Sequence, residues 1–247
     1  MKTTTSASPL EGTTGLSRRG LLKVGGVLAL TSLAGCTEVM TTSRFREDTM
    51  PLFGRGGPQL PPGETSYAEI YGAKEDGGYD IPAVPYEQID PQFYRQVVED
   101  PTGEKGGTIT VNTTQKLLYL SQDDGSAIRY GVGVGREGFA WHGRGVVQWK
   151  QKWPKWTPPS EMIARQPELA KYSAKNGSMG PGLMNPLGAR AMYIFHDGKD
   201  TLYRIHGSPE WWSIGKAVSS GCIRMINQDV IDLYSRVAVH TPVHVVT

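Results

Sequence analysis

Cysteine is scarce: the 247 residues contain two, Cys36 and Cys222. At most one disulfide can form, so a disulfide-stapled scaffold is excluded. No C-x-x-C pair occurs, and one cysteine with five scattered histidines is poor material for a structural zinc site. Strong charge of either sign is also missing. The formal net charge is +2, without the clustered basic patch that nucleic-acid backbones require, so no nucleic-acid partner is expected. No apolar run reaches the roughly 20 residues that a membrane-spanning helix needs. Glycine (31) and proline (17) are abundant, on a chain that is 38% hydrophobic and 20% charged. Such a composition belongs to a globular chain, with a loop-rich β or α+β body rather than a helical bundle.

The N-terminus bears on the compartment. SRRGLLK, Ser17 to Lys23, precedes the apolar run VGGVLALTSLAG. A basic stretch followed by a short apolar region has the form of an export signal. Paired Arg18 and Arg19 resemble a twin-arginine signal, which exports folded proteins. The run ends in LAGC, which resembles a bacterial lipobox. On that reading residues 1–36 are the signal and Cys36 is acylated as the new N-terminus; the alternative is an ordinary signal peptide with an incidental Cys36. Loss of residues 1–35 leaves 22 basic and 23 acidic residues, a net charge of −1. The expected location is the periplasm or cell envelope, with a lipid anchor in the membrane. In that oxidising space a remaining lone thiol, Cys222, is either buried and inert or kept for reactivity.

Residues 37–106 read as a Pro/Gly-rich tether whose later part wraps along the surface of the main domain, with FYRQVV as a helical turn or short strand. As free coil, a tether of about 65 residues would reach about 45 Å. From residue 107 the pattern changes. Ile109 and Val111, then Leu118 and Leu120, alternate with period two, and Asp124-Gly125 marks a hairpin. Val132 and Val134 alternate with glycines, which suggests a strand approached closely by another backbone. AMYIFH and TLYRIH flank DGKD as a second hairpin, and PVHVV closes the chain as a strand. Ser160 is placed to cap a short helix, and Asn227 to cap a helix with Val230, Leu233, Tyr234 and Val237 on its apolar face. Residues 107–247 are therefore expected to form a mainly β body with short helices, a barrel or sandwich.

A cysteine nucleophile needs thiolate character and a base within reach. His206 ends the strand TLYRIH, 16 residues before Cys222, and the loop between them can bring the two face to face. Gly221 permits a tight turn whose backbone N–H groups, with that of Cys222, converge on an oxyanion. Arg224 is placed to clamp a carboxylate. Trp211 and Trp212 are adjacent, so at least one faces outward as a wall or lid for substrate. Ser219 and Ser220 line the same stretch. The ordinary alternatives are a buried structural thiol, a structural strand histidine and a salt-bridged Arg224.

The HG at 206–207, a loop, then S-x-G-C-I-R-M from Ser219 resemble the signature of the bacterial L,D-transpeptidases with a YkuD-type catalytic domain. MNPLGARAMYIF, GVGVGREG and PKWTPPSEM are similar to further segments of that family. The resemblance covers residues 107–247. It implies a β-sandwich or barrel-like catalytic domain with Cys222 as nucleophile, His206 as base and the Gly207 carbonyl orienting the imidazole. It implies no cofactor and no metal. Ser220 departs from the family, in which many members carry histidine. The implied substrates are peptidoglycan stem peptides: Cys222 attacks the third residue, expels the terminal D-alanine and passes the acyl group to an amine. The acceptor would be another stem, a wall-attached protein or a D-amino acid. The competing readings are an L,D-carboxypeptidase with the same nucleophile and a non-catalytic wall-binding lipoprotein.

Overall fold

A computed structural model describes residues 59–136, 141–219 and 221–247. The signal and lipobox readings, residues 37–58 of the tether and Ser220 lie outside them. Among the described residues there are thirteen strands: β1 Lys74–Asp76, β2 Tyr79–Ile81, β3 Gln96–Glu99, β4 Ile109–Asn112, β5 Leu117–Ser121, β6 Ser126–Gly131, β7 Val134–Gly135, β8 Gly143–Lys152, β9 Arg190–His196, β10 Lys199–Ser208, β11 Ala217–Ser219, β12 Ile223–Ile226 and β13 Pro242–Val246. The α-helices are short: α1 Tyr67–Ile70, α2 Ser160–Arg165 and α3 Asn227–Arg236. The protein is mostly β with few short helices.

Nine strands form one sheet in the order β12-β10-β9-β8-β13-β4-β5-β6-β3. The pairs β10–β12 and β4–β13 are parallel, and the other neighbours in this sheet are antiparallel. The sheet curls back on itself. Gly133, just beyond β6, exchanges two backbone hydrogen bonds with Arg224 of the opposite edge strand β12, at 2.8 and 2.9 Å. Glycine is required there: a Cβ on residue 133 would lie 2.7 Å from the Ser213 carbonyl oxygen. This is the close backbone approach that the Val-Gly alternation suggests.

Inside the curl, Ile109, Val111, Leu118, Ile128, Met192, Ile194, Ile205, Ile223 and Met225 form one core with Val230, Leu233 and Val237 of α3. Both expected hairpins form. Asp124-Gly125 joins β5 to β6, and Asp197-Gly198, both at positive φ, join β9 to β10. Two expected caps do not form. Pro159 and Ile226, not Ser160 and Asn227, precede α2 and α3, and neither helix has a side-chain cap. Asn227 is the first residue of α3, and its amide is spent elsewhere.

From Gln59 onward the segment ahead of residue 107 is packed, so the coil reach of a tether does not apply to it. Strand β3 extends the sheet at β6. Tyr67, Tyr71, Tyr86 and Tyr94 cluster, with Tyr67 and Tyr94 ring centroids 4.8 Å apart. Phe93 and Val98 cover the outer face of β5 and β6, so every residue of β5 is buried rather than every second one. Arg95 anchors the segment to α3. It is itself buried, and its guanidinium meets Asp232 at 2.8 Å, Glu64 at 3.3 Å and the fully buried Asp229 at 3.6 Å. Its backbone N–H donates to the Tyr71 hydroxyl at 2.7 Å. Removing one partner of a buried ion cluster strands the rest without water or countercharge. Arg95→Met is therefore expected to lower unfolding stability by about 3–5 kcal/mol in denaturant titration, with the segment 59–100 losing hydrogen-exchange protection first.

Candidate active site

Parallel pairing of β10 with β12 sets Ile205 beside Ile223 and His206 beside Arg224. Ile205, Ile223 and Met225 point into the core, so by strand alternation Arg204, His206, Cys222 and Arg224 share the opposite face. Continuing the register one step back puts Arg204 beside Cys222. The backbone N–H of Arg204 is thereby placed on the side of Cys222, where it favours the thiolate. Cys222 and His206 thus lie on neighbouring strands, two positions out of register, and no hydrogen bond between them appears among the described residues. Catalytic contacts often tighten only when substrate is bound.

His206 is buried, and its Nδ1 meets the Gly207 carbonyl oxygen at 2.5 Å. A carbonyl only accepts, so Nδ1 carries the proton and Nε2 presents its lone pair. Burial, opposed by this hydrogen bond and reinforced by the charges of Arg224 and Arg204, lowers the imidazole pKa to about 4. Cys222 is partly exposed, yet protein encloses its sulfur and burial pushes the thiol up. The Arg204 N–H and the charges of Arg204 and Arg224 pull it back only in part. At neutral pH the resting pair is thiol and neutral imidazole.

At Gly207 two backbones meet the Asn227 side chain. A Cβ there would lie 2.3 Å from Asn227 Oδ1, and one on Gly188 would lie 2.3 Å from the same atom and 2.6 Å from the Gly207 carbonyl carbon. Asn227 Oδ1 accepts the Ala189 N–H at 3.0 Å. The N-P-L-G turn is held by its own asparagine: Asn185 donates to the carbonyls of Pro154 and Gly180, both at 2.9 Å, and accepts from Leu187 N–H at 2.9 Å.

The remaining expected residues divide. Gly221 takes φ +124°, a conformation suited to glycine. Its N–H donates to Ser219 Oγ at 3.2 Å, while the Ser219 hydroxyl donates to the Cys222 carbonyl at 2.6 Å. Ser219 is buried and its hydroxyl is spent on the turn that carries Cys222. Arg224 is ion-paired with Glu210 at 2.5 Å. Trp211 is partly buried and packs against the cluster that holds Tyr71 and Tyr94, whereas Trp212 is 53% exposed. Sequence reasoning missed four residues that shape the site: Arg204, Glu210, Asn227 and Tyr203, whose phenol pKa is raised by burial and by the nearby Cys222 charge. Tyr203 also lines a small recess with Trp141, Val134, Gly221 and Ile223. Among the described residues, no group of three His, Cys, Asp or Glu side chains is arranged to hold a metal ion. No helix among them is long and apolar enough to cross a membrane.

The family model of the L,D-transpeptidase catalytic domain, YkuD, matches residues 106–245, more than half of the chain. Among curated proteins, the chain is 32% identical to an Escherichia coli K12 protein named "Probable L,D-transpeptidase ErfK/SrfK", over 62% of this chain and 47% of that one. It is 30% identical to "Probable L,D-transpeptidase YbiS" of the same strain, over 60% and 47%. The chain spans about half the length of these relatives. A solved structure from Brucella melitensis, titled a probable carnitine operon oxidoreductase, is 44% identical over 62% of this chain and 94% of that one. Its TM-score of 0.44 is too low to carry an argument.

Two outcomes follow from this geometry. Gly207→Ala forces Asn227 or the strand to move, and is expected to cost about 2 kcal/mol or more of stability, with the His206 ring resonances displaced in NMR spectra. Alkylation of Cys222 by iodoacetamide, followed by peptide mapping to separate it from Cys36, is expected to keep accelerating as pH rises past 9. A plateau reached below pH 7 would instead reveal a thiolate–imidazolium pair.

Proposed function

This chain belongs to the L,D-transpeptidase family with a YkuD catalytic domain, and we propose that it acts on peptidoglycan stem peptides with Cys222 as the nucleophile. The observation that carries this reading is the His206–Gly207 pair, a buried imidazole with fixed tautomer on the strand next to the only described cysteine.

As Sγ of Cys222 attacks the carbonyl carbon of the third stem residue, its proton passes to Nε2 of His206. The carbonyl becomes an oxyanion, for which the backbone N–H groups of Cys222 and Gly221 serve as donors. The Gly221 N–H has only a long bond to Ser219 to give up. Collapse forms the thioester and breaks the bond to the terminal D-alanine, whose nitrogen takes the proton from His206. An amine then attacks the thioester, and His206 accepts and returns a proton in the reverse sense. No step needs a cofactor. Arg224 serves the carboxylate of the bound peptide, in competition with Glu210.

A second stem as acceptor gives a 3–3 cross-link, a protein lysine tethers a protein to the wall, and a D-amino acid gives exchange. Export by the N-terminal signal and anchoring through Cys36 complete the reading. Cys222→Ala is expected to abolish both D-alanine release from purified tetrapeptide muropeptides and thioester formation seen by intact mass. Retained turnover would refute the nucleophile. Products that contain only tripeptide, even with excess acceptor stem, would point to carboxypeptidase action.

A further inference from the structure

The face that carries the thiol also carries a row of side chains crossing three strands. Trp149 on β8 pairs in register with Tyr193 on β9, and Tyr193 with Arg204 on β10. The indole is stacked on the Tyr193 ring, with centroids 4.3 Å apart and planes at 25°. The Arg204 guanidinium covers the same ring at 4.4 Å and is fixed by two hydrogen bonds from its Nη atoms to Asp200, at 2.7 and 2.8 Å. One step back from the Ile205–Ile223 pair, the register of β10 and β12 sets Arg204 beside Cys222. The row is continuous from an indole to the nucleophile. A tryptophan in mid-strand that is 52% exposed while stacked underneath has one face braced and the other open.

We propose that Trp149 is a saccharide subsite for the acyl donor, holding the sugar ring that carries the stem while the third residue of that stem lies at Cys222. This rests on the peptidoglycan reading above. Three strand spacings separate Trp149 from Cys222, about 14 Å. Three extended residues reach about 10 Å, and the acid that links the stem to its sugar adds about one residue length more, so the sugar arrives over the indole. An apolar ring face with polar edges matches the flat, apolar face and hydroxyl rim of a pyranose. The braced stack also spares the ordering cost that a free tryptophan would meet on binding.

The test compares two donors, free tetrapeptide and disaccharide-tetrapeptide, by D-alanine release in the full chain. The wild type is expected to prefer the disaccharide form in kcat/KM, through KM. Trp149→Ala is expected to reduce that preference about tenfold and Trp149→Phe to restore part of it. A wild-type ratio of one, or an unchanged ratio in Trp149→Ala, overturns the subsite while leaving the acyl-transfer reading intact. Absence of wild-type turnover on both donors overturns the acyl-transfer reading, and the subsite with it. Titration of the Cys222→Ala protein with the disaccharide alone gives a readout without turnover. Quenching of tryptophan fluorescence that is lost in Trp149→Ala supports the subsite, and quenching unchanged by that substitution overturns it.

Discussion

The side chain of Asn227 presses into the space that two glycines leave, and the site is built around that contact. Its oxygen occupies the positions that a Cβ on Gly188 or Gly207 would take, and it accepts the Ala189 N–H. The first turn of α3 is thereby locked against the starts of two structures: the turn that leads into β9 and the end of β10. His206 stands at that end of β10, and its ring is turned by the carbonyl of the same Gly207. One amide thus fixes a helix, a turn and the strand end that sets the His206 tautomer. Arg95 acts on the same helix from the other side, through Asp229 and Asp232, and so ties the N-terminal wrapping segment to the site's foundation.

Much of this was legible in the chain. The two hairpins, the apolar face of α3 and the close approach at Gly133 follow from turn residues and periodicity, because those signals are local. The burial of all of β5 was not legible. It depends on Phe93 and Val98 arriving from outside the domain as read from the sequence. Asn227 was read as a cap because asparagine before an apolar helix usually is one. Tertiary packing used its oxygen for Ala189 instead.

The candidate site divides along the same line. His206, Gly207 and Cys222 stand out in the sequence by residue type alone, and the fold sets them on neighbouring strands. Arg204 and Trp149 have no meaning until register sets them in one row with the thiol. Glu210 gains a role only through its ion pair with Arg224. Register across a nine-stranded sheet is a property of the whole fold, and spacing in one sequence does not encode it.

The electrostatics of the pair constrain how the chemistry proceeds. Arg204 and Arg224 lie near both partners and act on them in opposed ways: they favour the thiolate and disfavour the imidazolium. Burial lowers the imidazole pKa to about 4 and raises that of the thiol, so both shifts oppose moving the proton before attack. These directions disfavour a preformed ion pair, so in the proposed mechanism proton transfer would accompany carbon–sulfur bond formation, which removes the thiolate charge. Asp200 and Glu210 moderate the two arginines, since each guanidinium is already half-neutralised. A substrate carboxylate that drew Arg224 away from Glu210 would carry its own negative charge to the site. It would leave the field at His206 nearly unchanged while fixing the peptide, so binding and proton transfer are kept apart in the same pair of strands.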